Sequence, residues 1–466
     1  MTTPFPSLLI TASGLVPQGA FAESQATFLN PDPAVIDDLV AALSSRNVGV
    51  VAHFYMDVEL QGVLTAAATR WPHIAISDSL AMADTAVKMS EEGVSAIIVL
   101  GVDFMSENVR AVLDAAGHTA TPVYRVDVRE IGCSLAASAE ALAYGAWLHK
   151  AAATDHALHV IYINTGLDVK GSSHAIVPTI TCTSSNVVGT ILQAAAQIPD
   201  LSVWYGPDTY MGDNLRTLFT RLSKGGPAEI AELHPAHTPQ TVADLLTRFQ
   251  VFPQGNCVVH HMFGADVVRR VRSEHPDAYY TAHLEVPGEM FALAAEAALH
   301  GLGCVGSTSN ILHFIRDRLA EKLAEEGGAR LQFVLGTEAG MITSIVDRVQ
   351  ALLAASGRDD VEVEVIFPVA AEAIAIDEGS TLGIIPGVAG GEGCSTAGGC
   401  ATCPYMKMNS LDALTDVVES VGTDRDMRPL EPKKYTQLIG GRTAADIGSE
   451  PILHMRHFQR SGELPA

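Results

Sequence analysis

Apolar and polar positions along this chain follow two alternating periods. Residues 32–47, "DPAVIDDLVAALSSRN", carry apolar side chains at helical spacing behind Asp32 as a cap and Pro33 in the first turn. "VGVVAHFY" follows as an unbroken apolar run of strand length. The exchange then repeats. "DSLAMADTAVKMSEEG" reads as a helix closed by Gly93, "SAIIVLGVDF" as a strand, "SENVRAVLDAAG" as a helix closed by Gly117, and "PVYRVDV" as a strand. After the Ala-rich helix "SLAASAEALAYGAWLHKAAA" a second round begins with "LHVIYINT", "SNVVGTILQAAAQ", "LSVWYGPD" and "MGDNLRTLFTRLSKGG". A third runs from "NCVVHH" through "AYYTAHLEV" and "LGCVGST" to "VEVEVIFPV". Apolar strands alternating with helices predict an α/β chain built on parallel sheets. The expected division is an N-terminal extension with a first helix (1–45), three similar βα-repeat domains (46–150, 151–255 and 256–390), and a Gly- and Cys-bearing loop with a tail (391–466). Residues 369–402 become Gly-rich and read as loop.

Several apolar runs end in polar residues. His53 and Tyr55 close the first, Tyr162 and Asn164 another, and Cys257 with His260, His283 with Glu285, and Ser307 with Thr308 close three more. In parallel α/β sheets ligands bind beyond the C-terminal strand ends, so these groups are expected to meet in one pocket. "SDSLAMA", "TCTSSNVV" and "VGSTSNIL" also place Ser79, Ser184, Ser307 and Thr308 at helix starts, where hydroxyls and free N–H groups suit phosphate or carboxylate. Each could equally be an ordinary N-cap.

Composition narrows the class. The 466 residues are 48% hydrophobic with a formal charge of −24, and no apolar run is long enough to span a bilayer. An acidic surface of this kind disfavours nucleic acid and anionic membranes as partners. "AFA" before Glu23 resembles a cleavage site, but no Lys or Arg precedes Arg46, and Gly14 and Pro17 interrupt the apolar stretch. The segment is therefore read as an extension lying on the folded body of a cytoplasmic protein.

Seven cysteines favour thiols or metal ligands over a disulfide framework. Cys394, Cys400 and Cys403 could form a zinc knuckle, but no His lies between residues 380 and 450. A disulfide among the three remains open, including one that switches activity under oxidation. So does a long-range cluster fed by Cys133, Cys257 and Cys403, which sit at corresponding seams between rounds. Cys182 and Cys304 read as small core residues.

"AHFYMDVELQ", "SDSLAMA", "GVDFMSENV", "GCSLA", "YINT", "TCTSSN", "YGPD", "GNCVVH", "AHLEV", "VGSTSNIL" and "CPYMKMNSL" occur in this order between residues 48 and 411. In these motifs the chain resembles the quinolinate synthases, iron–sulfur enzymes of NAD biosynthesis. The resemblance implies three α/β domains about a pseudo-threefold axis with a central [4Fe–4S] cluster, held by Cys133, Cys257 and Cys403. It implies condensation of iminoaspartate, supplied by an aspartate-oxidising enzyme, with dihydroxyacetone phosphate. Glu285, expected to have a raised pKa on its apolar strand end, is the implied acid/base, with Tyr55, Tyr162 and His283 around it. His53, Ser79, Asn164, Ser184, His260, Ser307 and Thr308 are the implied substrate contacts. Val286 stands where the family commonly has cysteine, and the loop and tail are longer than in compact members. Another cluster-dependent dehydratase, or an iron–sulfur sensor, would share the cysteines. The absence of a Gly-x-Gly-x-x-Gly turn counts against a dinucleotide dehydrogenase.

Overall fold

The computed structural model describes residues 4–257, 259–260, 263–368 and 403–465. Three parallel four-stranded units dominate them. The first contains Val48–His53, Ile74–Ser77, Ala96–Leu100 and Val123–Tyr124, and the second Ala157–Tyr162, Thr179–Cys182, Ser202–Gly206 and Phe249–Val251. The third contains Tyr279–His283, Gly303–Gly306, Ala329–Gly336 and Val361–Ile366. In each, the spatial order is second, first, third, fourth strand, with every pair parallel. The threefold repetition therefore lies in strand order, which explains why it is faint as literal sequence. Val50, Val51 and Ala52 are fully buried, as are Ile97 and Ile98, as expected of strands covered on both faces. One apolar cluster contains Val50, Val160 and Ala282, so the units share a core.

Local chemistry sets the helix starts. Asp32, Asp57 and Asp78 each cap a helix by accepting backbone N–H bonds, Asp78 from both Leu80 and Ala81. The expected single Ala-rich helix is two, Ser134–Glu140 and Leu142–Ala152.

Two expectations are corrected. Residues 7–18 do not lie over the body. Ser7–Thr11 pairs antiparallel with Val361–Ile366 and with Gly14–Gln18, widening the third sheet to six strands. Leu8 and Ile10 are fully buried, and Ser7 Oγ donates to Glu364 at 2.7 Å. Nor do the described residues of "NCVVHH" form a strand: Cys257 is irregular, Val259 lies in a turn and His260 in a 3-10 turn, and the second unit's last strand is the earlier Phe249–Val251. Cys394 and Cys400, with the proposed redox disulfide, fall outside the described residues.

The tail clasps the first two units. Leu411–Ser420 packs on Pro33–Arg46, and Ala444–Ser461 packs on Leu167–Ile176. That second contact is backbone to backbone: a Cβ on Gly448 would meet the Leu167 carbonyl oxygen at 1.9 Å, and one on Gly171 that of Ala444 at 2.5 Å.

His159 shows how the core responds to acid. Its Nδ1 donates to the Trp204 carbonyl at 2.8 Å, and its Nε2 accepts from the Tyr144 hydroxyl at 3.0 Å. Burial lowers its pKa from 6.5 to about 4. The folded state thus resists a proton that the unfolded chain accepts near pH 6.5. The contribution is intact above that value and is lost as pH falls toward 4. Unfolding in urea should show about 2 kcal/mol less stability from this residue at pH 5 than at pH 7. His159→Gln should flatten that part of the pH dependence, whatever its stability at pH 7. An unchanged slope would remove His159 as a source.

Candidate active site

The repeated strand order places equivalent residues of each unit around one cavity. The first strands end at His53, Tyr162 and His283. Two residues further on stand Tyr55, Asn164 and Glu285. The second strands lead into helices that start at Ser79 and at Ser307 with Thr308; in the second unit the helix starts only at Val187, capped by Asn186, and Ser184, expected at a helix start, lies in the turn before it. The fourth strands are followed by Cys133, Cys257 and Cys403. All of these residues, and His260, line the same cavity. Among the described residues no Arg or Lys lines it.

Glu285 is 4% exposed and is the electrostatic focus. Burial pushes its pKa up, but His283, His260 and a hydrogen bond from Tyr162 outweigh burial and hold it down, at about 2. This reverses the raised pKa expected from its apolar strand. His283, the largest of these, ends the same strand, while His260 comes from a loop and Tyr162 from another unit, which strand-level reasoning does not see. The Tyr162 hydroxyl donates to Glu285 Oε1, while His260 Nδ1 lies 3.2 Å from Oε2. Burial and the nearby Glu285 raise the Tyr162 pKa well above its ordinary value.

The histidines are poised as neutral rings. Burial lowers His53 and His283 to about 4 against the pull of Glu285. His53 Nδ1 accepts the Tyr55 N–H at 3.2 Å and His283 Nδ1 the Glu285 N–H at 3.3 Å, which leaves the proton on Nε2 in each. The His260 and His283 rings stack at 5.4 Å. Tyr55 Oη lies 3.1 Å from Thr308 Oγ1. Ser307 is a true N-cap, in a reciprocal capping box with Asn310, so its hydroxyl is already engaged. The first-unit cap is Asp78 rather than Ser79.

The three thiols fit an iron–sulfur group by their surroundings. None of the described cysteines is in a disulfide. Burial raises all three pKa values, and the thiols of Cys133 and Cys403 lie close enough to Cys257 to raise its pKa further. Such buried thiols require a cationic partner to ionise. Backbone N–H groups of Ala136 and Leu135 point at Cys133, that of His260 at Cys257, and those of Met406 and Tyr405 at Cys403. Soft sulfur donors, each with amide donors a turn away, suit an iron–sulfur cluster. Cys257, His260 and Glu285 also place one ligand atom each within 4.8 Å of one another, a geometry that could hold a single ion.

A further acid escaped the sequence reading. Glu338 is 2% exposed, lines the cavity, and accepts the Cys403 N–H. It follows the third strand, where the first and second units have Asp103 and Asp208. Asp103 accepts the Ile131 N–H, two residues before Cys133. In the second unit Gly255, two residues before Cys257, donates to Thr209 Oγ1 at 2.9 Å. Gly-x-acid in "GVD", "GPD" and "GTE" was the available clue.

A family model described as quinolinate synthetase A protein matches residues 37–357. The chain belongs to this family. It is 54% identical to a protein of Nicotiana tabacum and 52% identical to one of Arabidopsis thaliana, both named chloroplastic quinolinate synthase, each over 99% of this chain. The chain spans 66% of the length of each of those plant proteins. A protein of Prochlorococcus marinus (strain MIT 9313) named quinolinate synthase is 23% identical over 93% of this chain and 96% of its own length. Those plant relatives are named chloroplastic, which overturns the expected cytoplasmic location. No described helix is long and apolar enough to cross a membrane.

The cysteines divide cleanly by position. Cys182 is fully buried at a strand end, and Cys304 is half-buried on another strand; neither lines the cavity. Ser at Cys133, Cys257 or Cys403 should abolish the brown absorbance of anaerobically purified protein, while Cys182→Ser and Cys304→Ser should keep it. Full absorbance in Cys257→Ser would refute the assignment.

Proposed function

We propose that this family member is a quinolinate synthase, condensing iminoaspartate with dihydroxyacetone phosphate to quinolinate with loss of phosphate and water. The observation that carries this reading is the meeting of three amide-flanked thiols, the Glu285–Tyr162–His set, two helix starts and the Ser184 turn in one cavity. Cys133, Cys257 and Cys403 would hold a [4Fe–4S] cluster, whose fourth iron, without a protein ligand, supplies a Lewis acid when bound.

The chain's own residues do the rest. The helix starts at Ser79 and Thr308 and the turn at Ser184 offer hydroxyl and N–H donors to phosphate and carboxylate in a cavity lined, among the described residues, by no lysine or arginine. Asn164 adds an amide that can both donate and accept. The Glu285 anion is a proton acceptor at neutral pH, and Tyr162, which already donates to it, is the adjacent proton source. His53 and His283, neutral with Nε2–H, present donors without adding charge. An aspartate-oxidising enzyme is the class of partner that would supply iminoaspartate.

The single-ion geometry at Cys257, His260 and Glu285 favours a second reading, a mononuclear metal hydratase. It leaves Cys133 and Cys403 without a role, and replacing either would then spare the metal.

The deciding assay follows phosphate release and quinolinate formation by the reconstituted chain from dihydroxyacetone phosphate and enzymatically generated iminoaspartate. Phosphate release without quinolinate, or neither, counts against the proposal. Glu285→Gln should keep the cluster and lose turnover by about a hundredfold or more. Near-normal turnover would take Glu285 out of proton transfer.

A further inference from the structure

Tyr55, Asn164 and Glu285 stand at the same place in their units, two residues beyond the first strand. In each case a buried side-chain nitrogen grips the backbone on both sides of that residue. Gln61 Nε2 shares its two N–H bonds among three carbonyls, those of Phe54 at 2.5 Å and Met56 at 2.9 Å, flanking Tyr55, and that of Gly340 at 2.6 Å. Lys170 Nζ donates to the carbonyls of Ile163, at 3.1 Å, and Thr165, flanking Asn164. Asn214 Nδ2 donates to the carbonyls of Leu284 at 2.9 Å and Val286 at 2.7 Å, flanking Glu285. Gln61 and Lys170 are fully buried, and Asn214 is 1% exposed.

The first two donors occupy equivalent positions on the helix after the first strand, Val58–Ala68 and Leu167–Ile176. The third unit has Phe291 in the corresponding stretch, Gly288–Ala298, and Asn214 reaches across from the second unit's helix Thr209–Leu222 instead. Chemically different side chains thus make one contact three times. An amide, an ammonium and a shorter amide share only the ability to donate two N–H bonds. A buried Lys and two buried carboxamides are costly to fold in, and helix packing alone does not require them. None of the three lines the cavity, so they cannot touch what is bound there.

We propose that Gln61, Lys170 and Asn214 are positioning residues, each fixing a three-residue backbone arch so that Tyr55, Asn164 or Glu285 points into the cavity. The proposal rests on the quinolinate synthase reading only for the identity of the reaction they serve. Because the donor pair is what matters, the donors are interchangeable in kind: Gln at position 170 would do what Gln61 does in the first unit.

The test uses the full-length holoprotein with Lys170→Met, Lys170→Gln, Asn164→Ala and the Lys170→Met/Asn164→Ala double variant. Lys170→Met should lower kcat/KM at least tenfold and speed amide hydrogen exchange across residues 163–167 at least tenfold. Lys170→Gln should return both to within about threefold of the parent. Adding Lys170→Met to Asn164→Ala should cost less than twofold more, since a positioning effect vanishes with the residue positioned. Gln no better than Met, or additive losses, would overturn the proposal. Should Lys170→Met not fold, Asn214→Leu with Glu285→Gln runs the same cycle in the third unit. Hydrogen exchange needs no substrate. It judges the arch even if the parent makes no quinolinate, so failure of the function and failure of the arch are told apart.

Discussion

A carboxylate held as an anion in a buried cavity lined, among the described residues, by no lysine or arginine is the constraint around which the site is organised. Glu285 loses most of its hydration, which by itself favours the neutral acid. The Tyr162 hydroxyl from the second unit donates to it, and the His283 and His260 rings lie against it. Burial likewise makes the three thiols poor thiolates unless a positive group joins them. Carboxylate and thiols therefore pose one electrostatic problem, and an iron–sulfur group at Cys133, Cys257 and Cys403 would relieve it for all of them.

Meeting that constraint requires three units to present their C-terminal strand ends to one point. The common strand order does this, because equivalent strands then deliver equivalent side chains. First strands bring the His, Tyr and Glu groups, second strands the Ser and Thr hydroxyls, third strands the Asp103, Thr209 and Glu338 side chains that grip the cysteine segments, and fourth strands the cysteines. The clasp by residues 411–465 and the N-terminal hairpin at 7–18 brace this arrangement from outside the cavity.

Much of this was legible because polar residues interrupt apolar runs at fixed places. His53, Tyr162, His283 and Glu285 stand out against "VVA", "VI" and "TA" neighbours, and the structure gathers them all. What was hidden depends on partners distant in sequence. Ser7 meets Glu364 across the third sheet, and the breakers Gly14 and Pro17 disguised two strands. The direction of the Glu285 shift depends on Tyr162 and His260. Gln61, Lys170 and Asn214 look in sequence like solvated helix positions, because a polar residue on a helix is usually exposed; their burial appears only in three dimensions. The short strands Ile74–Ser77 and Thr179–Cys182 leave too little sequence for a period to declare itself.

The central claim is that three buried thiols share one multinuclear group instead of Cys257, His260 and Glu285 binding a lone ion. Iron and acid-labile sulfide counted per chain in the anaerobically purified parent protein test it most directly. The account predicts about four of each; one metal ion per chain with no sulfide would contradict it.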